Sequence, residues 1–208
     1  MLSRSLPNQK PHLAWGNSRL LPVPSNFRSF LKYLLISIGV LIIDHFTKYL
    51  ATVYLKNAPH WPRSWNFFYF QYAENYNMAF SITAISMVWV NLLGLVATCL
   101  VIFYLWRYAA GPAKLPAWGM ALILGGAFGN LIERFITGFR AMANTGVFKG
   151  YVVDFISFDW PDWLYFYRWP TFNIADSAVT IGITLFIIYA IFFEPREATA
   201  NASSKNGN

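Results

Sequence analysis

Four apolar runs, near Phe30–Leu55, Ile85–Tyr108, Leu115–Thr137 and Phe172–Phe193, each have the length to cross a bilayer. A spanning helix needs about 20 mostly apolar residues. Within hydrocarbon, every backbone N–H and C=O must be satisfied inside the protein, which a helix does and an open sheet does not. Only 12% of the 208 residues are charged, against about 25% in soluble domains, so too little polar surface exists to wrap four such runs in water. The expected fold is an all-α polytopic membrane protein with four transmembrane helices in one domain, residues 30–193. Residues 1–29 and 194–208 are polar and read as disordered cytoplasmic tails. The first run is too long for a signal-peptide core and leads into Asp44 and Lys48 rather than a cleavage site.

The net charge of +7 raises nucleic acid as a partner, but the basic residues flank the apolar runs instead of forming a stripe. That pattern belongs to topology signals and contacts with anionic membrane lipids, and no nucleic-acid partner is expected. Arg4, Lys10, Arg19 and Arg28 in the first tail, Arg107 and Lys114 in a short loop, and Arg196 and Lys205 at the end place both termini in the cytoplasm. Segments 56–84 and 138–171 then face outward, although Lys56, Arg63, Arg140, Lys149 and Arg168 offset part of the asymmetry. The single cysteine, Cys99, excludes an intrachain disulfide and reads as packing against lipid or helix. His12, His45 and His60 lack metal-ligand spacing, so neither metal nor cofactor is expected.

The outward segments are not ordinary loops. Residues 61–72 are aromatic and strand-prone, and residues 159–169 are rich in the Trp and Tyr that collect at headgroup level. Together they predict a small β-rich, aromatic interfacial element. The unusual polar residues converge beside it: Asp44 and Lys48 in the outer half of the first helix, Asn75 before the second, Asn130, Glu133 and Arg134 late in the third, Asp154 in an outer segment, and Asn173 and Asp176 opening the fourth. Intramembrane carboxylates mark function by default. Simpler roles compete: Asp44 and Lys48 can pair at i,i+4, Glu133 and Arg134 can mark a helix exit, Asn130 can bond another helix, and Asn173 with Asp176 has capping-box spacing. Gly125, Gly126 and Gly129 read as close helix packing. Asp154, in Val-Val-Asp-Phe-Ile, has no capping role available.

Five ordered motifs together resemble the lipoprotein signal peptidase (signal peptidase II) family. They are Asp44-His-Phe-Thr-Lys48, Asn75-Tyr-Asn-Met-Ala-Phe-Ser81, Gly125 through Asn130 to Arg134, Gly150-Tyr-Val-Val-Asp154-Phe, and Phe172-Asn-Ile-Ala-Asp176-Ser-Ala. The resemblance implies an aspartic endopeptidase of the bacterial inner membrane that cleaves diacylglyceryl-modified prolipoproteins just before the lipidated cysteine. Asp154 and Asp176 would be its catalytic pair, sharing one proton as acid and base. Asn75, Asn130, Arg134 and Asn173 would line the pocket, and Asp44, Lys48 and Glu133 would support it. The active site would lie near the outer face of a monomer, with prolipoproteins and membrane lipids as partners.

Three features depart from the family pattern. Asn77 stands where Gly is common, Glu133 replaces the usual Asp, and about a dozen extra residues separate Arg134 from Asp154. Two other classes remain open from sequence: a proton-coupled transporter, and a non-catalytic lipoprotein-binding membrane protein. Four helices without a repeat are few for a transporter. A binder would tolerate loss of either aspartate.

Overall fold

The computed structural model describes residues 27–76, 87–159 and 168–193. The expectations for the two tails, for the turn at Asn77 and for most of the 159–169 aromatic stretch fall outside these residues. In chain order the elements are α1 (Phe27–Leu55), β1 (Phe68–Asn75), α2 (Met87–Tyr108), α3 (Lys114–Thr145), β2 (Val152–Phe158) and α4 (Ile174–Phe192). All four helices are long and apolar enough to cross a membrane, and the protein is a multi-pass membrane protein. Large apolar side chains such as Leu35, Ile42, Phe103 and Ile191 are exposed, as a lipid-facing surface requires.

The central helix is α3, against which α4, α1 and α2 all pack. Small residues permit this. A Cβ on Gly126 would run into the Ala175 backbone oxygen of α4, and one on Gly125 would stand 2.7 Å from the Ser37 oxygen of α1. Gly119 and Gly182 face each other, a Cβ on either falling within 2.7 Å of the other's carbonyl oxygen. Such contact replaces the hydrophobic drive that lipid cannot supply. Ser37 adds a hydrogen bond to the Ala121 oxygen at 2.8 Å.

Three boundaries differ from the sequence reading. Helix α1 begins at Phe27, inside the expected tail, because the rings of Phe27 and Phe30 pack on Trp106 of α2 at 6.4 and 5.0 Å. Helix α3 continues to Thr145 instead of ending at Thr137. The extra residues after Arg134 are thus largely helical. They end where Gly146, at φ 75°, turns left-handed and donates to the Met142 oxygen at 2.8 Å. The chain then returns, and Tyr151 N donates to Thr137 Oγ1 at 2.8 Å. Helix α4 begins at Ile174, since Phe172 exchanges backbone hydrogen bonds with Ile156 at 2.8 and 3.0 Å and belongs to the sheet edge.

Strands β1 and β2 pair antiparallel, with an irregularity between Phe70 and Ala73. They sit at the end of the bundle where α1 finishes and α4 starts, as the small aromatic element that the sequence predicts. Side chains alternate across a strand, so Asp154 and Phe155 point to opposite faces.

Candidate active site

Asn173 caps α4. Its Oδ1 accepts from Asp176 N at 2.9 Å, and Asp176 Oδ2 accepts from Asn173 N at 3.2 Å, completing the capping box that the spacing implies. The other carboxylate oxygen of Asp176 accepts from Asn130 Nδ2 of α3 at 2.8 Å. Capping and facing the pocket are therefore two sides of one carboxylate, not alternatives.

Asp154 is 2% exposed and also has both oxygens served, Oδ1 by Asn173 Nδ2 at 2.7 Å and Oδ2 by Asn75 Nδ2 at 2.8 Å. Asn173 thus donates to both aspartates, from its backbone to one and from its amide to the other. Burial pushes the Asp154 carboxyl up to about 7, the charge of Asp176 adds to the rise, and the Asn75 and Asn173 hydrogen bonds oppose it.

Beneath the pair lies a second polar layer. The Lys48 ammonium has three donors and uses them on Asp44 Oδ2 at 2.7 Å, Glu133 Oε2 at 2.8 Å and Asn130 Oδ1 at 2.8 Å. The Asp44–Lys48 pairing at i,i+4 is as expected, but its job extends off the helix: Asp44 Oδ1 accepts from Ala175 N in the first turn of α4 at 2.8 Å. Glu133 does not mark a helix exit. Its Oε1 accepts from Val153 N at 3.2 Å, tying α3 to the residue before Asp154.

A cavity of about 730 Å³ is lined by Asn75, Asn130, Arg134, Asp154 and Asp176, and the Arg134 charge acts on both carboxyls. All nine candidate residues are brought to this one place. Sequence reasoning missed the rest of the wall. Gly94 and Ala97 of α2 form one side of it, Ser177 and Thr180 continue it along α4, and Phe158 stacked on Trp169 at 5.7 Å also lines it. The three-residue spacing of Gly94 and Ala97 was the available signal. Among the described residues no group of three or more His, Cys, Asp or Glu is gathered as metal ligands.

The family model for signal peptidase (SPase) II matches residues 36–192. The chain belongs to that family.

Relatives extend the match along nearly their whole length. The lipoprotein signal peptidase of Francisella tularensis subsp. novicida is 34% identical over 170 residues, covering 79% of this chain and 94% of its own. That of Acinetobacter baylyi is 38% identical over 163 residues, covering 76% and 81%. A bacterial membrane enzyme solved by the in meso method at 2.3 Å resolution superposes with a TM-score of 0.60 at 26% identity, covering 85% of this chain and 92% of that one. As a signal peptidase II family member the protein is a peptidase. Glu133 reaches Lys48 and the β2 backbone together, and residues 138–145 form the end of α3.

Proposed function

We propose that this protein is an aspartic endopeptidase that removes signal peptides from diacylglyceryl-modified prolipoproteins, cleaving just before the lipidated cysteine, with Asp154 and Asp176 as its catalytic pair. One observation carries the reading. Two carboxyls from different elements meet in one buried pocket, and a single residue, Asn173, donates to both.

The chemistry needs an acid and a base at once. Two carboxyls that share a proton supply both and titrate as a unit. Asp154, with its carboxyl raised to about 7, holds the proton near neutral pH. It donates that proton as a hydrogen bond to the scissile carbonyl oxygen. Ionised Asp176 draws a proton from a water between the two carboxyls, and the water oxygen attacks the carbonyl carbon. As the tetrahedral species collapses, Asp176 passes this proton to the cysteine nitrogen, breaking the C–N bond and freeing the signal peptide's new carboxylate. The Arg134 guanidinium draws the substrate backbone toward the pair, and the Asn75, Asn130 and Asn173 amides keep the carboxyls from rotating. The substrate's acyl chains stay in lipid along the opening that Gly94, Ala97 and Ile181 line.

The enzyme works as a monomer in the bacterial inner membrane, with the sheet end outward and both termini cytoplasmic. Eight Lys and Arg in the tails and the Arg107/Lys114 loop, against five on the sheet side, support that orientation. The test is purified protein on a synthetic diacylglyceryl prolipoprotein. The expected product begins with the lipidated cysteine. Cleavage elsewhere, or equal cleavage of an unlipidated precursor, rejects the reading.

A further inference from the structure

A second cavity, about 520 Å³, lies on the opposite side of β2 from the aspartates. Its size falls in the range of small-molecule sites, about 300–1,000 Å³. Its floor is Phe155, the residue whose side chain alternates with that of Asp154, together with Phe70 of β1. One wall is a helical stripe at the end of α1, where Leu50, Ala51 and Tyr54 share a face. The roof is the 58–63 segment, pinned to the sheet by reciprocal backbone hydrogen bonds between Trp61 and Phe70 at 2.9 and 2.8 Å. The cavity opens beside Tyr54 and Trp61, which are 70% and 63% exposed. Such aromatic side chains gather where hydrocarbon meets headgroups.

Two polar features at the roof are unused by the protein. Arg63 lines the cavity, is exposed and makes no ion pair among the described residues. His60 Nε2 is buried without a hydrogen-bond partner, while its ring stacks on Tyr69 at 4.3 Å. A buried polar atom is normally satisfied. An apolar slot with a free guanidinium and an orphaned ring nitrogen at one end matches an acyl chain ending in a phosphate.

We infer that this groove is a binding site for an anionic phospholipid, with one acyl chain between α1 and the sheet and the phosphate at Arg63 and His60. The diacylglyceryl group of a prolipoprotein carries no phosphate and would not use Arg63. Bound lipid packs against the back of the strand bearing Asp154, so it forms part of the surface on which that strand rests.

The test uses full-length protein in mild detergent, titrated with phosphatidylglycerol or phosphatidylcholine of matched chains and read by native mass spectrometry. One retained phosphatidylglycerol is expected, held about tenfold more tightly than phosphatidylcholine. Arg63→Glu should weaken it about tenfold, given the strength of one basic residue at a lipid surface. Ala58→Trp, on the exposed rim, should displace it. Arg140→Glu, an equal change of charge at the far end of α3, should leave it in place. Equal retention of the two lipids overturns the inference, as does equal loss from Arg63→Glu and Arg140→Glu, which would reveal general surface attraction. Should Ala58→Trp fail to fold, by circular dichroism, the comparison of the two exposed arginine variants decides alone.

Discussion

The two ends of the α3 interface are held together by opposite means. Toward the tail end, α3 meets α4 through absent side chains, Gly119 against Gly182. Toward the sheet, the same helices meet through side chains that are almost all polar: Asn130, Glu133, Asn173 and Asp176, tied to Lys48 and Asp44 of α1. The glycine seam brings backbones into contact and so fixes how far α4 stands along α3. The polar layer then uses that fixed height to aim carboxyls. One region supplies stability without chemistry, and the other holds chemistry at a cost in stability. Each buried charge there is retained only because partners meet it.

The largest effect should come from the polar layer. Asp154→Asn and Asp176→Asn should each lower turnover by about 10²–10⁴-fold while the protein stays folded and inserted. A variant keeping more than about a tenth of wild-type cleavage removes that residue from the proposed pair. Next, Asp176→Glu should retain its thermal midpoint within a few degrees, since Glu can still serve the capping box. Moving the carboxyl by about an ångström should nonetheless lower the rate on the order of a hundredfold. Melting temperature and turnover measured on one preparation decide this, and a stable, active variant leaves only capping at that position.

The titration of Asp154 sharpens the contrast further. Its carboxyl sits at about 7 in the fold, against about 3.9 in an unfolded chain. The folded state therefore binds a proton that the unfolded state has already released, and stability falls as pH rises from about 4 to 7. The acid form is also the one the proposed reaction needs, so kcat/KM should fall as pH rises through about 7. Asp154→Asn should flatten the stability slope. A pH–rate profile level from about 6 to 9 would falsify the assignment of the proton to Asp154.

Changes in the seam should do the reverse. Gly119→Ala places a methyl 2.7 Å from the Gly182 oxygen and should destabilise by about 1–3 kcal/mol. Specific activity of the folded fraction should hold better than stability does. Gly39 has nothing within 4 Å of a Cβ, so Gly39→Ala should change stability by about 1 kcal/mol or less, in the stabilising direction. If Gly39→Ala harms the protein as much as Gly119→Ala, close backbone contact is not what the seam contributes.

Much of this was legible because it is local or periodic. Apolar runs gave the helices, i,i+4 spacing paired Asp44 with Lys48, and three-residue spacing announced the Asn173–Asp176 box. What the sequence left open depended on distant partners. Glu133 was expected to support the pocket, but its partners, Lys48 85 positions earlier and the Val153 N–H, could not be read from spacing. The membrane-length apolar run stops at Thr137, but the helix does not. Residues 138–145 are less apolar but contain good helix formers, and a helix leaving the bilayer has no reason to stop there. The wall of the pocket was hidden for another reason: Gly94 and Ala97 matter through the room they leave.

The loop of chain after Arg134 and the strand that follows differ in how they tolerate altered length. The α3 extension leaves the bundle and comes back to it, Tyr151 closing on Thr137 and Gly150 packing on the Arg134 backbone. Whole helical turns can be inserted there without shifting what comes next. Past Gly150 that freedom ends. Because alternate residues of β2 face opposite cavities, a single codon gained or lost between Tyr151 and Asp154 would turn the carboxyl toward the groove of Phe155 and present an apolar side chain to the pocket. Length is therefore free to change on one side of Gly150 and fixed on the other.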